Sequence, residues 1–390
     1  MKYDVIVIGA GPAGSSAARV LAEAGVHVAL LERAKMPRYK VCGAGIVGRA
    51  LRILPSNVKE SIERQCFSAR LHLLDAGLQF SVTRQEPLVS MSMRDKFDRL
   101  LALNAVGAGA ELREECHVFD VSQEDGVVAL KTNTGSLSCS FVVSADGSTG
   151  SIPRKAGWRE TRRLGPAIEW EVPVNERTLE RFASAALFYF GLIPAGYAWI
   201  FPKGSHLSVG LASVKRGRIP LDQSLGQLLR SVDIPLGDAT VRHGAVAALR
   251  PRSDALTSGR ILLAGDTAGF TDPVTGEGIS FAVRSGQLAA KALIAGRFDE
   301  TLVRKEYQST VEEQILRELR SAADVAKLLY GPAAIRNYLF RLKGQAFCEA
   351  MADVMGGKTT YHELVSQVLA YAKRVLVPDV TRIFSRPAKD

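Results

Sequence analysis

Val5-Ile6-Val7-Ile8-Gly9-Ala10-Gly11-Pro12-Ala13-Gly14 is the stretch that decides the fold. Four consecutive β-branched residues with no polar interruption predict a strand buried on both faces, as in a parallel sheet. Ser15 to Ala24, rich in alanine and stopped by Gly25, predicts a helix. Val26 to Leu31 predicts a second buried strand, which ends at Glu32. Each glycine of the turn has its own reason. Gly9 permits the tight turn, Gly11 lets backbone approach a diphosphate, and Gly14 lets the helix pack closely on the strand. The diphosphate then meets free N–H groups and partial positive charge at the helix N-terminus. Glu32 is placed to accept hydrogen bonds from ribose hydroxyls. The unit therefore predicts a dinucleotide site, with Ala13 and Arg33 beside it.

Outward from this unit, 390 residues with 47% hydrophobic and 23% charged composition predict two or three globular domains. Fifty Lys and Arg against forty acids give a charge of +10, which favours phosphate-bearing ligands or an anionic membrane face. No basic run interleaved with aromatics occurs, so nucleic acid is not an expected partner. The five cysteines, Cys42, Cys66, Cys116, Cys139 and Cys348, are scattered and have no paired spacing for zinc or a disulfide framework. No metal site is expected, and a reducing cytoplasm fits best. The N-terminus lacks a basic leader and no run of about 18 apolar residues occurs, so the expectation is a cytoplasmic protein, soluble or peripheral on the inner membrane face.

A second cofactor signature lies far downstream. The apolar strand Arg260 to Ala264 ends in Gly265-Asp266, and Asp272-Pro273-Val274-Thr275-Gly276-Glu277-Gly278-Ile279 leads into an alanine-rich helix from Ser280 to Ala295. A carboxylate at that strand end suits a ribityl chain. The glycine-rich helix start offers N–H groups, through Gly276, Gly278 and Ile279, to the flavin edge where charge accumulates on reduction.

Together these segments resemble the FAD-binding, glutathione-reductase-like flavoproteins, and within them the group shared by aromatic hydroxylases and geranylgeranyl reductases. The resemblance implies FAD as cofactor. Ser144-Ala145-Asp146-Gly147 resembles the family's Asp-Gly motif, Arg94 resembles the arginine that opens a helix beside the cofactor, and Val118 matches a position touching adenine by backbone.

Pro37-Arg38-Tyr39-Lys40-Val41-Cys42-Gly43 is similar to the Pro-x-x-Lys-x-Cys-Gly motif of geranylgeranyl reductases, which lies beside the flavin ring. Ala44 departs from the second glycine common there. Tyr197-Ala198-Trp199-Ile200-Phe201-Pro202 with Val209-Gly210 resembles the same reductases' Tyr-x-Trp-x-Phe-Pro and Val-Gly pattern. Alternation places Tyr197, Trp199 and Phe201 on one strand face, either as walls of an isoprenoid channel or as core. Aromatic hydroxylases typically carry Ala-Ala-His after Gly-Asp, and this chain has Thr267-Ala268-Gly269.

The expected architecture is α/β: a Rossmann-type FAD-binding domain (1–50, 90–155 and 255–300), an inserted antiparallel-sheet substrate domain (51–89 and 156–254) and a helical C-terminal region (301–390). Leu71 to Leu74 and Leu187 to Phe190 are read as strands of the antiparallel sheet. Residues 331 to 390 carry nine Lys or Arg against five acids, a tail that either caps the fold or rests on anionic lipid.

The expected activity is reduction of carbon–carbon double bonds in a prenyl or related lipid-like substrate. Cys42 is read as proton donor or as a small apolar contact near the ring. The alternative is a monooxygenase, hydroxylase or halogenase, acting on an aromatic or quinone substrate. With no separate NAD(P) fingerprint, the candidate electron donors are NAD(P)H used transiently, a ferredoxin or a quinol.

Overall fold

The computed structural model describes residues 2–215 and 219–376. Lys2–Ile8 forms the centre of an eight-stranded sheet, paired in parallel with Gly135–Ser144 on one side and Val28–Leu31 on the other. Ile261–Leu263 and Glu111–Arg113 extend the parallel run at either side. Val5, Ile6 and Val7 are fully buried, as an uninterrupted β-branched run requires, and each such side chain contributes roughly 1.5–3 kcal/mol. The first helix begins at Pro12, because a fixed φ and a missing N–H suit the first helical position. It packs on helix Ile279–Ala295 with backbone almost touching: a Cβ on Gly286 would lie 2.0 Å from the Ala13 carbonyl oxygen.

The strand ends Ile8, Leu31, Ser144 and Leu263 sit side by side in register, so the residues after them gather at one edge. A site at the carboxyl ends of parallel strands follows from this topology.

A second sheet of seven strands runs Val241–Arg250, Arg163–Pro173, His206–Ser213, Gly196–Pro202, Ala185–Phe190, Ser68–Leu73 and Leu78–Thr83. Its pairings are antiparallel with one exception. Ala185–Phe190 runs parallel to Ser68–Leu73, which corrects the all-antiparallel expectation for these two strands. They are separated by over a hundred residues, so no hairpin dictates their direction. Leu74 leaves the strand for a short 3₁₀ turn. A small third sheet joins Gly45–Val47, Val89–Ser92 and Ile62–Cys66.

From Glu300 the described chain is helical, ending in helices Ala333–Gly356 and Tyr361–Leu376. Phe340, Cys348 and Met351 are buried in the core beneath the second sheet, and Arg336 is paired there with Asp75. This much of the tail caps the fold. Its charged residues Asp379, Arg382, Arg386, Lys389 and Asp390 lie outside the described residues. Among the described residues, no helix is long and apolar enough to cross a membrane, and no cluster of ligating side chains could hold a metal.

Candidate active site

A cavity of about 700 Å³ lies between the parallel-sheet edge and the second sheet. Gly9, Gly11, Ala13, Glu32, Arg33, Arg94, Val118 and Asp146 line one part of it. Gly14 does not. A Cβ there would lie 1.9 Å from the Gly9 carbonyl oxygen, so Gly14 serves the packing of the turn. Gly11 is the opposite case. The nearest atoms to a Cβ at that position are the Arg94 and Arg38 guanidiniums at 3.9 and 4.0 Å, so an added side chain would project into the cavity.

These cations are held by two buried carboxylates, Asp98 and Glu32. Asp98, with no exposed side-chain surface, accepts two hydrogen bonds from Arg94 at 2.8 Å each and one from Arg38 at 2.7 Å. Arg38 also reaches Glu32 at 3.1 Å, and the Ala10 N–H donates to the Glu32 carboxylate at 3.2 Å. Asp146 lines the cavity, yet its carboxylate accepts from Ser144 (2.7 Å), the Ile152 N–H (3.1 Å) and Thr267 (3.3 Å), which fixes the Gly147–Gly150 loop.

Asp266, Gly276, Gly278 and Ile279 line the middle of the cavity. Buried Arg162 and Arg252 strap the Asp266 segment, donating to the backbone oxygens of Asp266 (2.7 Å) and Thr267 (3.1 Å). The loop from Asp272 to Gly278 is gripped from three directions. Tyr197 donates to the Thr275 oxygen, Tyr330 to the Val274 oxygen at 2.7 Å, and Tyr361 to the Asp272 carboxylate at 3.0 Å. Arg49 bridges Asp272 and Glu277 at 2.8 and 3.0 Å. The C-terminal helices, assigned no role by motif, thus position the loop and add Tyr330 and Met355 to the cavity wall.

Tyr197, Trp199 and Phe201 all face the cavity from one side of their strand, with neighbouring ring centroids 5.9 and 6.2 Å apart. The glycine of Val209-Gly210 has a steric reason, since a Cβ there would lie 1.9 Å from the Trp199 ring. The segment from Cys42 to Gly45 lies flat against this wall. A Cβ on Gly43 would come within 2.9 Å of the Trp199 indole nitrogen and 3.2 Å of Phe201. Ala44 takes φ +43°, the left-handed conformation glycine favours, and its N–H points to the Cys42 sulfur at 3.3 Å.

Beneath the loop, the buried Glu169 carboxylate accepts the Cys42 N–H at 2.7 Å. Burial pushes the Glu169 carboxyl above the usual range, despite a hydrogen bond from Ser208. Fully buried Lys203 is pushed down for the same reason, and donates to the oxygens of Gly43 (2.6 Å) and Ser92 (2.8 Å).

Residues 2–297 match the FAD binding domain family. Digeranylgeranylglycerophospholipid reductase 1 of Methanopyrus kandleri is 33% identical over 358 residues, covering 84% of this chain and 91% of that one. The chain belongs to the geranylgeranyl reductase family. It is an FAD-dependent oxidoreductase. A geranylgeranyl bacteriochlorophyll reductase-like structure from Thermoplasma acidophilum shares the fold with a TM-score of 0.75 and 23% identity, covering 98% of each chain. A flavin-dependent brominase also shares it, with a TM-score of 0.73, 19% identity, and 96% of this chain and 100% of that chain covered.

The geometry fits FAD as a geranylgeranyl reductase family member requires. The turn leaves open space over Gly11, two guanidiniums flank it, and Asp266 stands at the strand end further along the cavity. Sequence reasoning missed Asp98, Glu169, Lys203, Arg49 and Tyr330. Asp98 alone carried a local signal, four residues after Arg94 on one helix. Glu169 lies 127 residues from the N–H it accepts, and no spacing rule connects them.

Proposed function

We propose that this enzyme reduces carbon–carbon double bonds of a prenyl or related lipid-like substrate. The observation that carries the reading is the joining of two distant motifs into one wall: the Cys42-Gly43 loop lies directly on Trp199 and Phe201, facing the cavity. Gly9, Gly11, Ala13, Glu32, Arg33, Arg94, Val118 and Asp146 would hold the nucleotide portion of FAD. Asp266, Gly276, Gly278, Ile279, Cys42 and Gly43 would hold the flavin portion. FAD supplies the hydride for such a reduction.

The protein's own groups do the rest. Tyr197, Trp199 and Phe201 bind the apolar chain, exclude water, and present ring faces to positive charge developing on carbon. Cys42, partly exposed to the cavity, holds the proton for the second carbon at Sγ. A substrate carried in lipid gives a role to Ile335, Tyr338 and Leu342, exposed on helix Ala333–Gly356 beside Arg341 and Lys343. They form an apolar and basic face suited to anionic lipid.

The test is anaerobic reduction of the purified protein, by NAD(P)H, ferredoxin or quinol in turn, followed by reoxidation with a prenyl substrate. Alkene-dependent reoxidation without oxygen supports the reading. Substrate-stimulated oxygen uptake with a hydroxylated or halogenated product replaces it with the monooxygenase. Co-sedimentation with anionic but not neutral vesicles tests the lipid face.

A further inference from the structure

The Cys42-Gly43 dipeptide is held by two charged side chains that solvent does not reach. Glu169, 2% exposed on strand Arg163–Pro173, accepts the Cys42 N–H with one carboxylate oxygen and the Ser208 hydroxyl with the other, at 2.7 and 2.5 Å. Ser208 in turn receives the indole N–H of Trp199 at 3.5 Å. Lys203, with no exposed surface, donates to the Gly43 carbonyl and to Ser92 on the neighbouring strand. Among the described residues, neither Glu169 nor Lys203 has a salt-bridge partner, and each feels the opposite charge of the other only at longer range. Burying a carboxylate and an ammonium is costly, and packing alone would be better served by apolar side chains. Each places one hydrogen bond on the dipeptide, Glu169 on Cys42 and Lys203 on Gly43.

We propose that Glu169 and Lys203, with Ser208, are positioning residues that set the distance between the Cys42 thiol and the Trp199 ring, and so define the slot in which the reacting double bond lies. Glu169 holds the N–H end of the dipeptide and, through Ser208, the ring. Lys203 holds the carbonyl end. One carboxylate thus ties the thiol and the aromatic wall into a single rigid frame. The catalytic part of this inference rests on the reductase reading; the structural part does not.

The experiment compares holoenzyme of the parent, Glu169→Ala, Glu169→Gln, Lys203→Met, Cys42→Ser and the double variant Glu169→Ala/Cys42→Ser. The first readout needs no turnover. Cys42 is the one cysteine that is not buried, so its alkylation by iodoacetamide in the native protein is followed by peptide mass spectrometry. Glu169→Ala and Lys203→Met are expected to change that rate by about tenfold, the scale of losing one charged hydrogen bond. Glu169→Gln stays close to the parent, because an amide oxygen still accepts the Cys42 N–H.

With geranylgeranyl diphosphate as substrate, Glu169→Ala should lower kcat by about a hundredfold, the effect of a misplaced reacting group, with little change in KM and full FAD content. The loss in the double variant should be well short of the product of the two single losses, since Glu169 acts in large part through the thiol. Additive losses, an unchanged alkylation rate in Glu169→Ala, or a Gln variant as impaired as the Ala variant would each overturn the proposal. If Glu169→Ala fails to fold, Lys203→Met and Ser208→Ala carry the same comparison. Shifted alkylation in a protein that reduces no prenyl substrate in any form supports the frame and removes the reductase reading instead.

Discussion

The turn from Gly9 to Gly14 and the segment from Cys42 to Gly45 line the same cavity but are built differently. The turn is made by its own backbone: the Gly9 N–H bonds to Leu31 of the adjacent strand, φ +101° at Gly9 reverses the chain, and Gly14 closes on the Gly9 carbonyl. The Cys42 segment depends on the side chains of Glu169, on a strand of the second sheet, and of Lys203, just past the end of another. A site for a common cofactor needs only local geometry that many chains can repeat. A site for a particular substrate needs distant side chains placed together, and its geometry changes when any of them does.

Several substitutions test how far this contrast extends. Within the turn, Gly14→Val meets backbone at 1.9 Å and should give no folded protein, read by soluble yield and circular dichroism. Gly11→Val has room in the protein but not beside a diphosphate, so a folded, colourless product is expected. A yellow Gly11→Val protein with one FAD per chain would remove the turn from the cofactor site.

In the other segment, Cys42→Ser should retain FAD and slow prenyl-dependent reoxidation by about a hundredfold, the factor a positioned acid contributes. Parental rate and product pattern would show the loop to be a wall without proton chemistry. Asp266→Ala probes the middle of the cavity, where loss of a charged acceptor should weaken FAD retention by roughly 10–100-fold, measured by titration of the apoprotein.

Smaller effects test the scaffold. Tyr361→Phe removes a fully buried hydroxyl that donates to Asp272, and should lower unfolding stability by about 2 kcal/mol while leaving FAD bound. Unchanged denaturant midpoints would mean that the C-terminal helices do not brace the Asp272–Gly278 loop. Ala44→Gly relieves left-handed strain at φ +43° but loosens the unfolded chain, so a gain of no more than about 1 kcal/mol is expected in the same assay. A loss beyond that would mean that the Ala44 methyl packs usefully behind the loop.

The parallel-sheet half was legible from a single sequence because its determinants are contiguous. A β-branched run, three glycines at fixed spacing and an acid at the next strand end make one unit, and the structure has Ile8, Gly9 and Leu31 where that unit needs them. Tyr197, Trp199 and Phe201 were legible as one face by alternation alone, since a strand turns every second side chain the same way. Alternation could not say what the face looks at, nor that Ala185–Phe190 would pair in parallel with Ser68–Leu73.

Other features were decided only by tertiary structure. Glu169 reads as an ordinary charge on a strand and Lys203 as a turn lysine beside Gly204, yet folding buries both under the Cys42 segment. Arg49, Tyr330 and Tyr361 converge on the Asp272–Gly278 loop from segments hundreds of residues apart in places. Spacing rules describe residues that share one helix face, strand or turn. Which charge ends up without water, and whose hydrogen bond makes that tolerable, depends on how separate elements pack, and that is settled only when the whole chain folds.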